Sequence, residues 1–393
     1  MDWQPVGATL AVLFWASLGL VAYSYAAYPL FVFFLAGCFG RRRFPPRIAA
    51  SDWPRVSLLI SALNEEKWIE QRILNALAQD YPEDRLEVVI ASDGSTDRTA
   101  EIVDRLARRF PGRVRLCDFP ERRGKATVLN AVMPALGGEI VVLSDANTVF
   151  ERSTVRNLVR WFADSAVAAV CGKLQLIDAM TGKNVDGLYW RYENFLKECE
   201  GRLGALLGAN GAVYAIRRAS YAAIPGDTII DDFLIPLKIK LQTEGRLVYD
   251  PDALASEETP PRIRDEFRRR ARIGAGGFQC LARLWRLALP TAGWTALAFL
   301  SHKVLRWVAP LLLIVAVVAN SLLIADDRYR LLLALQAAFY VTGFLSGYVP
   351  GNGLAVRCLR LTGLFTSMNA ALAVGFWRWL AGTQQAAWQR TAR

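Results

Sequence analysis

The chain of 393 residues contains one histidine, His302. That argues against a histidine-based triad, excludes a histidine-rich metal centre and directs the search for a general base to carboxylates. Its six cysteines, Cys38, Cys117, Cys171, Cys199, Cys280 and Cys358, are scattered without any C-x-x-C spacing. This argues against a zinc site or a disulfide framework and suits a reducing compartment. No helix-turn-helix, zinc-finger or aromatic RNA-binding signature occurs. The formal net charge of +11 therefore points to lipid and phosphate rather than nucleic acid.

Long apolar runs are present, but only at the two ends. Gly7 to Phe39 is almost uncharged and ends in Gly40 followed by Arg41, Arg42 and Arg43. It exceeds the ~20 residues needed to cross a bilayer. A cleaved leader carries its basic residues before a shorter apolar core, so this run reads as a retained anchor. The arginines place its C-terminal end, and the domain that follows, in the cytoplasm. Towards the other end, Trp307 to Ala325 and Leu331 to Val349 read as spans, with Lys303 and Arg306 at a cytoplasmic edge. Leu361 to Gly382 is a third candidate, or a re-entrant segment. Ile263 to Leu289 mixes arginines with large apolar residues and reads as an amphipathic interfacial helix, broken by glycine at Gly274 to Gly277. The organisation expected is an anchor and linker over 1–50, a globular domain over 51–260, an interfacial region over 261–290 and a membrane region over 291–393.

The globular domain alternates strands and helices. Strands are expected at Arg55 to Ala62, Leu86 to Ala91, Val114 to Phe119 and Val141 to Thr148. Helices are expected from Asn64 to Gln79, up to Phe110, and from Lys125 to Leu136. This order argues for an α/β fold with a mostly parallel, Rossmann-like sheet. Asp145 and Asn147 emerge at the carboxyl end of the last strand, where ligands of open α/β sheets collect. An oxygen pair there suits Mg2+ held jointly with phosphate and water, although Asp-x-Asn after a strand is also a common turn or helix cap.

The succession NEE (64–66), SDGSTD (92–97), RRGKATVLN (122–130), SDANT (144–148), GANGAVYAIRR (208–218), IIDDF (229–233) and FRRRARI (267–273) resembles the membrane-bound family-2 glycosyltransferases. These include cellulose, hyaluronan and poly-N-acetylglucosamine synthases and ceramide glucosyltransferases. The resemblance covers roughly residues 55 to 275. It implies a GT-A fold, a nucleotide-sugar donor, Mg2+ or Mn2+, and inversion at the sugar carbon. By the same resemblance, Asn64, Glu65 and Asp93 hold the base and ribose, and Lys125 lies near the diphosphate. Asp145 and Asn147 occupy the Asp-x-Asp metal motif, with an amide in place of its second carboxylate. Asp232 matches the catalytic base, with Asp231 in place of a preceding Glu. Arg272 keeps the phosphate-binding arginine of Gln-x-x-Arg-Trp, whose Gln and Trp are here Arg269 and Ile273.

The residues themselves also admit plainer roles. Asp231 and Asp232 are a good helix start, Asn64 and Glu65 a cap, Asp93 a turn residue, and Lys125 a solvated lysine. The glycines around Asn210 suit a loop that an acceptor approaches closely. Trp190 stacks on a sugar or packs in the core. The function expected is inverting transfer from a UDP-sugar to a hydroxyl of a lipid-linked or polysaccharide acceptor, at the cytoplasmic face of a bacterial inner membrane. A processive polysaccharide synthase and an inactive nucleotide-binding scaffold of a secretion complex are the competing readings. A missing aromatic at Ile273 favours single or few additions.

Overall fold

The computed structural model describes residues 4–177, 187–258, 263–351 and 353–385. The described residues fall into two compact units. One is drawn from residues 4–31, 263–282, 299–351 and 353–384; the other from 32–177, 187–258, 283–298 and 385.

The chain opens with α1 (Gln4–Ala22), a π-helical stretch (Tyr23–Ala27) and α2 (Tyr28–Cys38). Val6–Cys38 is long and apolar enough to cross a membrane. In the second unit follow β1 (Val56–Ala62), α3 (Ile69–Leu77), β2 (Leu86–Asp93), α4 (Thr99–Arg109), β3 (Val114–Phe119) and α5 (Lys125–Val132). Next come β4 (Ile140–Asp145), β5 (Val149–Phe150), α6 (Thr154–Val159), β6 (Val167–Ile177) and α7 (Leu188–Arg202). The unit continues with β7 (Tyr214–Arg217), α8 (Asp231–Thr243) and β8 (Arg246–Glu258).

One eight-stranded sheet runs in the order β3-β2-β1-β4-β7-β6-β8-β5. The pairings β1–β2, β1–β4, β2–β3 and β6–β8 are parallel; β4–β7, β6–β7 and β5–β8 are antiparallel. All strands except β5 and β7 thus share one direction. β7 lies between β4 and β6 and opposes both, so the sheet is a mixed α/β sheet rather than a simple Rossmann ladder. A buried core of β-branched and leucine side chains, among them Leu58, Ile60, Val88, Ile90 and Val142, fills one face.

Strand order reverses at β1. The chain moves outward through β2 and β3, then returns to place β4 on the other side of β1. The crevice at the carboxyl ends of β1 and β4 is therefore the topological switch point, where such sheets bind ligands.

Two local expectations are corrected. Asn64 does not open a helix. It sits at φ 55, in the left-handed region, and α3 begins only at Ile69. Its side chain is committed to the neighbouring turn, as described below. The glycines at 274 to 277 do not break a helix either, because α9 (Ile263–Arg283) runs straight through them. In the first unit they permit close packing. A Cβ on Gly277 would lie 2.5 Å from the Trp307 ring, and one on Gly274 would lie 3.1 Å from Leu372.

The first unit is completed after α10 (Trp294–Ala298) by a π-helical stretch (Phe299–Val304), α11 (Leu305–Leu322), α12 (Asp327–Leu345) and α13 (Leu354–Leu380). Trp294–Leu322 and Asp327–Tyr348 are, like the N-terminal run, long and apolar enough to span a membrane. The first begins well before Trp307. Arg306 consequently lies inside it, 8% exposed, with its guanidinium over the Tyr25 ring at 5.4 Å. α13, which covers the expected third span up to Leu380, is one continuous helix with Arg357, Arg360 and Arg378, and is not among the three. Ser24 Oγ donates to the Ser301 carbonyl at 2.9 Å, joining the two π-helical stretches.

Candidate active site

At the end of β1, Asn64 Oδ1 accepts from Thr96 N–H at 2.7 Å, and its own N–H donates to Ser95 Oγ at 3.1 Å. Glu65 N–H donates to Thr99 Oγ1 at 2.8 Å, and the residue is buried. The NEE and SDGSTD segments thus form one knot over the ends of β1 and β2. Asn64 suits it because asparagine tolerates the left-handed region and carries a short acceptor.

From β2, the buried Asp93 clamps the next loop. Its Oδ1 accepts from Arg123 N–H at 2.6 Å, and its Oδ2 accepts from Gly124 N–H at 2.9 Å. Gly94 is required here. It lies at φ 70, and a Cβ would come within 2.7 Å of the Arg122 backbone nitrogen. This clamp sets the start of α5 and so delivers Lys125. Replacing Asp93 with Ala leaves two backbone donors unpaired, at a cost of about 1–3 kcal/mol if they stay buried. The expected outcome is a rise of about tenfold or more in nucleotide Kd by calorimetry, since 1.4 kcal/mol corresponds to one decade. Asp93→Asn, which keeps one acceptor oxygen, should lose less.

Lys125 bridges two carboxylates. Its Nζ donates to Asp145 Oδ1 at 3.0 Å and lies 3.4 Å from Asp231 Oδ2. Burial opposes its charge, but Asp145, Asp231 and Asp232 outweigh burial and raise the ammonium above the ordinary lysine range. Asp231 and Asp232 form the first turn of α8, favourable for negative charge at a helix N-terminus.

Asp232 Oδ2 accepts from Gly211 N–H at 3.0 Å, and its backbone carbonyl accepts from Ala209 N–H at 3.0 Å. The glycine loop expected to admit an acceptor approaches α8 itself. A Cβ on Gly208 would lie 2.8 Å from the Phe233 ring, and one on Gly211 would lie 3.1 Å from Asp232 Oδ2. Asn210 braces this loop: its Nδ2 donates to the Gly172 carbonyl at 2.8 Å, and its Oδ1 accepts from Lys197. Trp190 on α7 is half-buried against the core.

The structure therefore gathers Lys125, Asp145, Asp231 and Asp232, with Asn210 and Asp93 holding the loops around them. Arg269 and Arg272 lie on α9 in the other unit, where Arg269 pairs with Glu266 at 3.6 Å.

Three residues escaped the sequence reading. Arg72, 2% exposed, donates from Nη2 to Ser144 Oγ and from Nη1 to Asn75 Oδ1, both at 3.0 Å. Burial lowers its pKa to about 9, against the opposing pull of Asp145. Its signal was a basic residue inside the apolar stripe Ile69, Ile73, Ala76 of α3. Tyr214, fully buried, has an unpaired hydroxyl. Burial, then Asp231 and Asp232, raise its pKa well above the ordinary tyrosine value. Lys197 lies on the buried side of α7 beside Glu193 and Glu200 at helical spacing, a pattern legible only once that helix is known to be covered.

Among the described residues no three His, Cys, Asp or Glu side chains converge as a metal site. Asp145 and the Asn147 amide, whose Nδ2 is buried without a partner, are too few to cage a cation. They do fit Mg2+ or Mn2+ held largely through diphosphate and water, which is how such hard cations commonly bind with phosphates.

The mixed sheet carries this carboxylate cluster at its switch point, and comparison with known proteins gives the class. The profile of "Glycosyl transferase family 2" matches residues 57–222, and that of "Glycosyl transferase family group 2" matches residues 140–348, more than half the chain. The chain belongs to the family-2 glycosyltransferases. It is 28% identical to a beta-monoglucosyldiacylglycerol synthase of Synechocystis over 311 residues, which are 74% of this chain and 61% of that protein. It is 25% identical to a poly-beta-1,6-N-acetyl-D-glucosamine synthase of Staphylococcus aureus over 244 residues, 61% of this chain and 58% of that protein. The chain thus spans about three fifths of these relatives' length. A mannosyltransferase of Pyrobaculum calidifontis, in complex with GDP-Man and Mn2+, superposes with a TM-score of 0.72 at 26% identity. The match covers 95% of this chain and all of that one.

Proposed function

We propose that this chain transfers a sugar, with inversion, from a UDP-sugar to a hydroxyl of a lipid-linked acceptor at the cytoplasmic face of a membrane. The observation that carries the reading is Asp232, whose Oδ2 is fixed by the Gly211 N–H at 3.0 Å beside the Lys125–Asp145–Asp231 cluster. In this reading Asp232 takes the proton of the acceptor hydroxyl as that oxygen bonds to the anomeric carbon. The bond from that carbon to the diphosphate breaks, and the electron pair leaves with the diphosphate. Lys125 neutralises part of its charge, and Arg272 is assigned the same task by the family resemblance. Asn64, Glu65 and Asp93 keep their assignment to the base and ribose. A Mg2+ or Mn2+ held by Asp145 and Asn147 would supply further electrostatic stabilisation of the leaving group.

A lipid acceptor is supported by the three apolar helices and by the glycolipid-forming relative. The cytoplasmic assignment rests on Arg41, Arg42 and Arg43 after the first of those helices. The deciding experiment incubates native membranes with a panel of radiolabelled UDP- and GDP-sugars, extracts lipid and sizes the product. Lipid-soluble products carrying one or a few sugars are expected, because Ile273 offers no aromatic face to grip a growing chain. A long ladder of added sugars would establish a polymerising synthase instead. Absence of transfer from every donor would favour the scaffold reading.

A further inference from the structure

We propose that Lys125 is a resident counter-ion that bars free divalent cations from Asp145, so that the cation enters only together with a nucleoside diphosphate. The inference rests on the proposed metal dependence and concerns how that dependence is gated.

Its basis is the charge arrangement around Asp145. Lys125 Nζ is 3.0 Å from Asp145 and 3.4 Å from Asp231, with side-chain exposures of 18%, 19% and 12% respectively. One partly buried ammonium therefore stands between the two carboxylates. The buried Arg72 guanidinium is hydrogen-bonded to Ser144, the residue before Asp145, and interacts electrostatically with Asp145. Asp145 thus has two cations in its neighbourhood. The next oxygen in the motif belongs to Asn147, which carries no charge to recruit a cation of its own.

A hydrated Mn2+ or Mg2+ approaching alone must shed water, meet two positive charges and displace Lys125 from Asp145. Lys125 then keeps only the anions of Asp231 and Asp232, with the incoming dication close by, and repulsion between like charges at such short range in a partly buried site is unfavourable. A diphosphate changes each part of that exchange. Its oxygens complete the cation's shell, as is usual for Mg2+ in phosphate sites. They also give Lys125 a new anionic partner. The Asp93 clamp on Arg123 and Gly124 keeps the backbone of Lys125 in place, so that the side chain alone changes partner. Coupling of this kind is reciprocal, so the cation must strengthen nucleotide binding by the factor by which nucleotide strengthens cation binding.

The test is Mn2+ binding to the purified full chain in detergent, read from the free-ion electron paramagnetic resonance signal. Titrations are made without nucleotide, with UDP and with GDP. The wild-type chain should bind Mn2+ at least about tenfold more weakly alone than with its preferred nucleotide. Lys125→Met should bind one Mn2+ without nucleotide, about tenfold or more tighter than wild type alone, and should lose most of the coupling. Equal Mn2+ affinity of the wild-type chain with and without either nucleotide overturns the inference, whatever the variant does. A folded Lys125→Met, judged by its circular dichroism spectrum, that still requires nucleotide also overturns it. No Mn2+ binding to either form under any condition overturns the metal reading itself and this inference with it.

Discussion

Asp232→Asn is expected to abolish sugar transfer while leaving nucleotide binding nearly intact. Loss of a general base lowers turnover by about 100- to 10,000-fold. The amide keeps the volume of the carboxylate, and its oxygen can still accept the Gly211 N–H that holds Oδ2 at 3.0 Å. What it loses is the capacity to take a proton. Asp231 does not substitute readily, because its Oδ2 faces Lys125 at 3.4 Å. Single-turnover transfer in native membranes, beside calorimetric binding of UDP and GDP, separates the two effects. Near-normal turnover would move the base elsewhere, whereas parallel loss of binding would make Asp232 an architectural residue of the glycine loop.

The second large effect is expected at Asp145. Asp145→Ala removes the one carboxylate of the metal motif and one of the two anions that hold Lys125. A loss of about 100-fold or more in kcat/KM is expected, in the range seen when an electrostatic stabiliser of a leaving or developing charge is removed. Asn147→Ala should cost about tenfold at most, because a neutral amide is the weaker ligand for a hard cation. Chelator should silence the wild-type chain, and Mg2+ or Mn2+ should restore it. Equal defects in the two variants would place both side chains in the same role, and full activity in chelator would remove the cation from the reaction.

Asp93 and Asp232 share one structural feature, whatever else each does: a carboxylate is hydrogen-bonded to the backbone of a loop that arrives from elsewhere in the chain. Asp93 holds Arg123 and Gly124, about thirty residues on; Gly211 holds Asp232 from about twenty residues before. Such pairs are why altering one motif is expected to disturb another, and why double variants within the cluster should not behave additively.

The amino-acid sequence by itself determined the class of this protein. Local patterns suffice for that: a thirty-residue apolar run is long enough to cross a bilayer, alternating strand and helix signals point to an α/β sheet, and ordered short motifs identify a family. The ends of the four strands expected from sequence were legible to within a few residues, with Val114–Phe119 recovered in full, whereas β6 and β8 were given no bounds. The acidic and basic residues that meet in the cluster were all legible as candidates, because charge at a strand end or a helix start is a local signal.

Only the tertiary structure decided how those candidates are used. β7 runs against β4 and β6 because of how distant segments pair, and no local periodicity encodes strand direction. Asn64 reads as a helix start in isolation, yet the turn at Thr96 takes its side chain first. Gly274 and Gly277 read as a break, yet helical packing uses their missing side chains for close approach. Arg72 was invisible as a site residue because its partner Ser144 is seventy-two positions away. Hydrogen bonds and ion pairs act through a few ångströms of space, and only the folded chain brings residues so far apart in sequence within that reach.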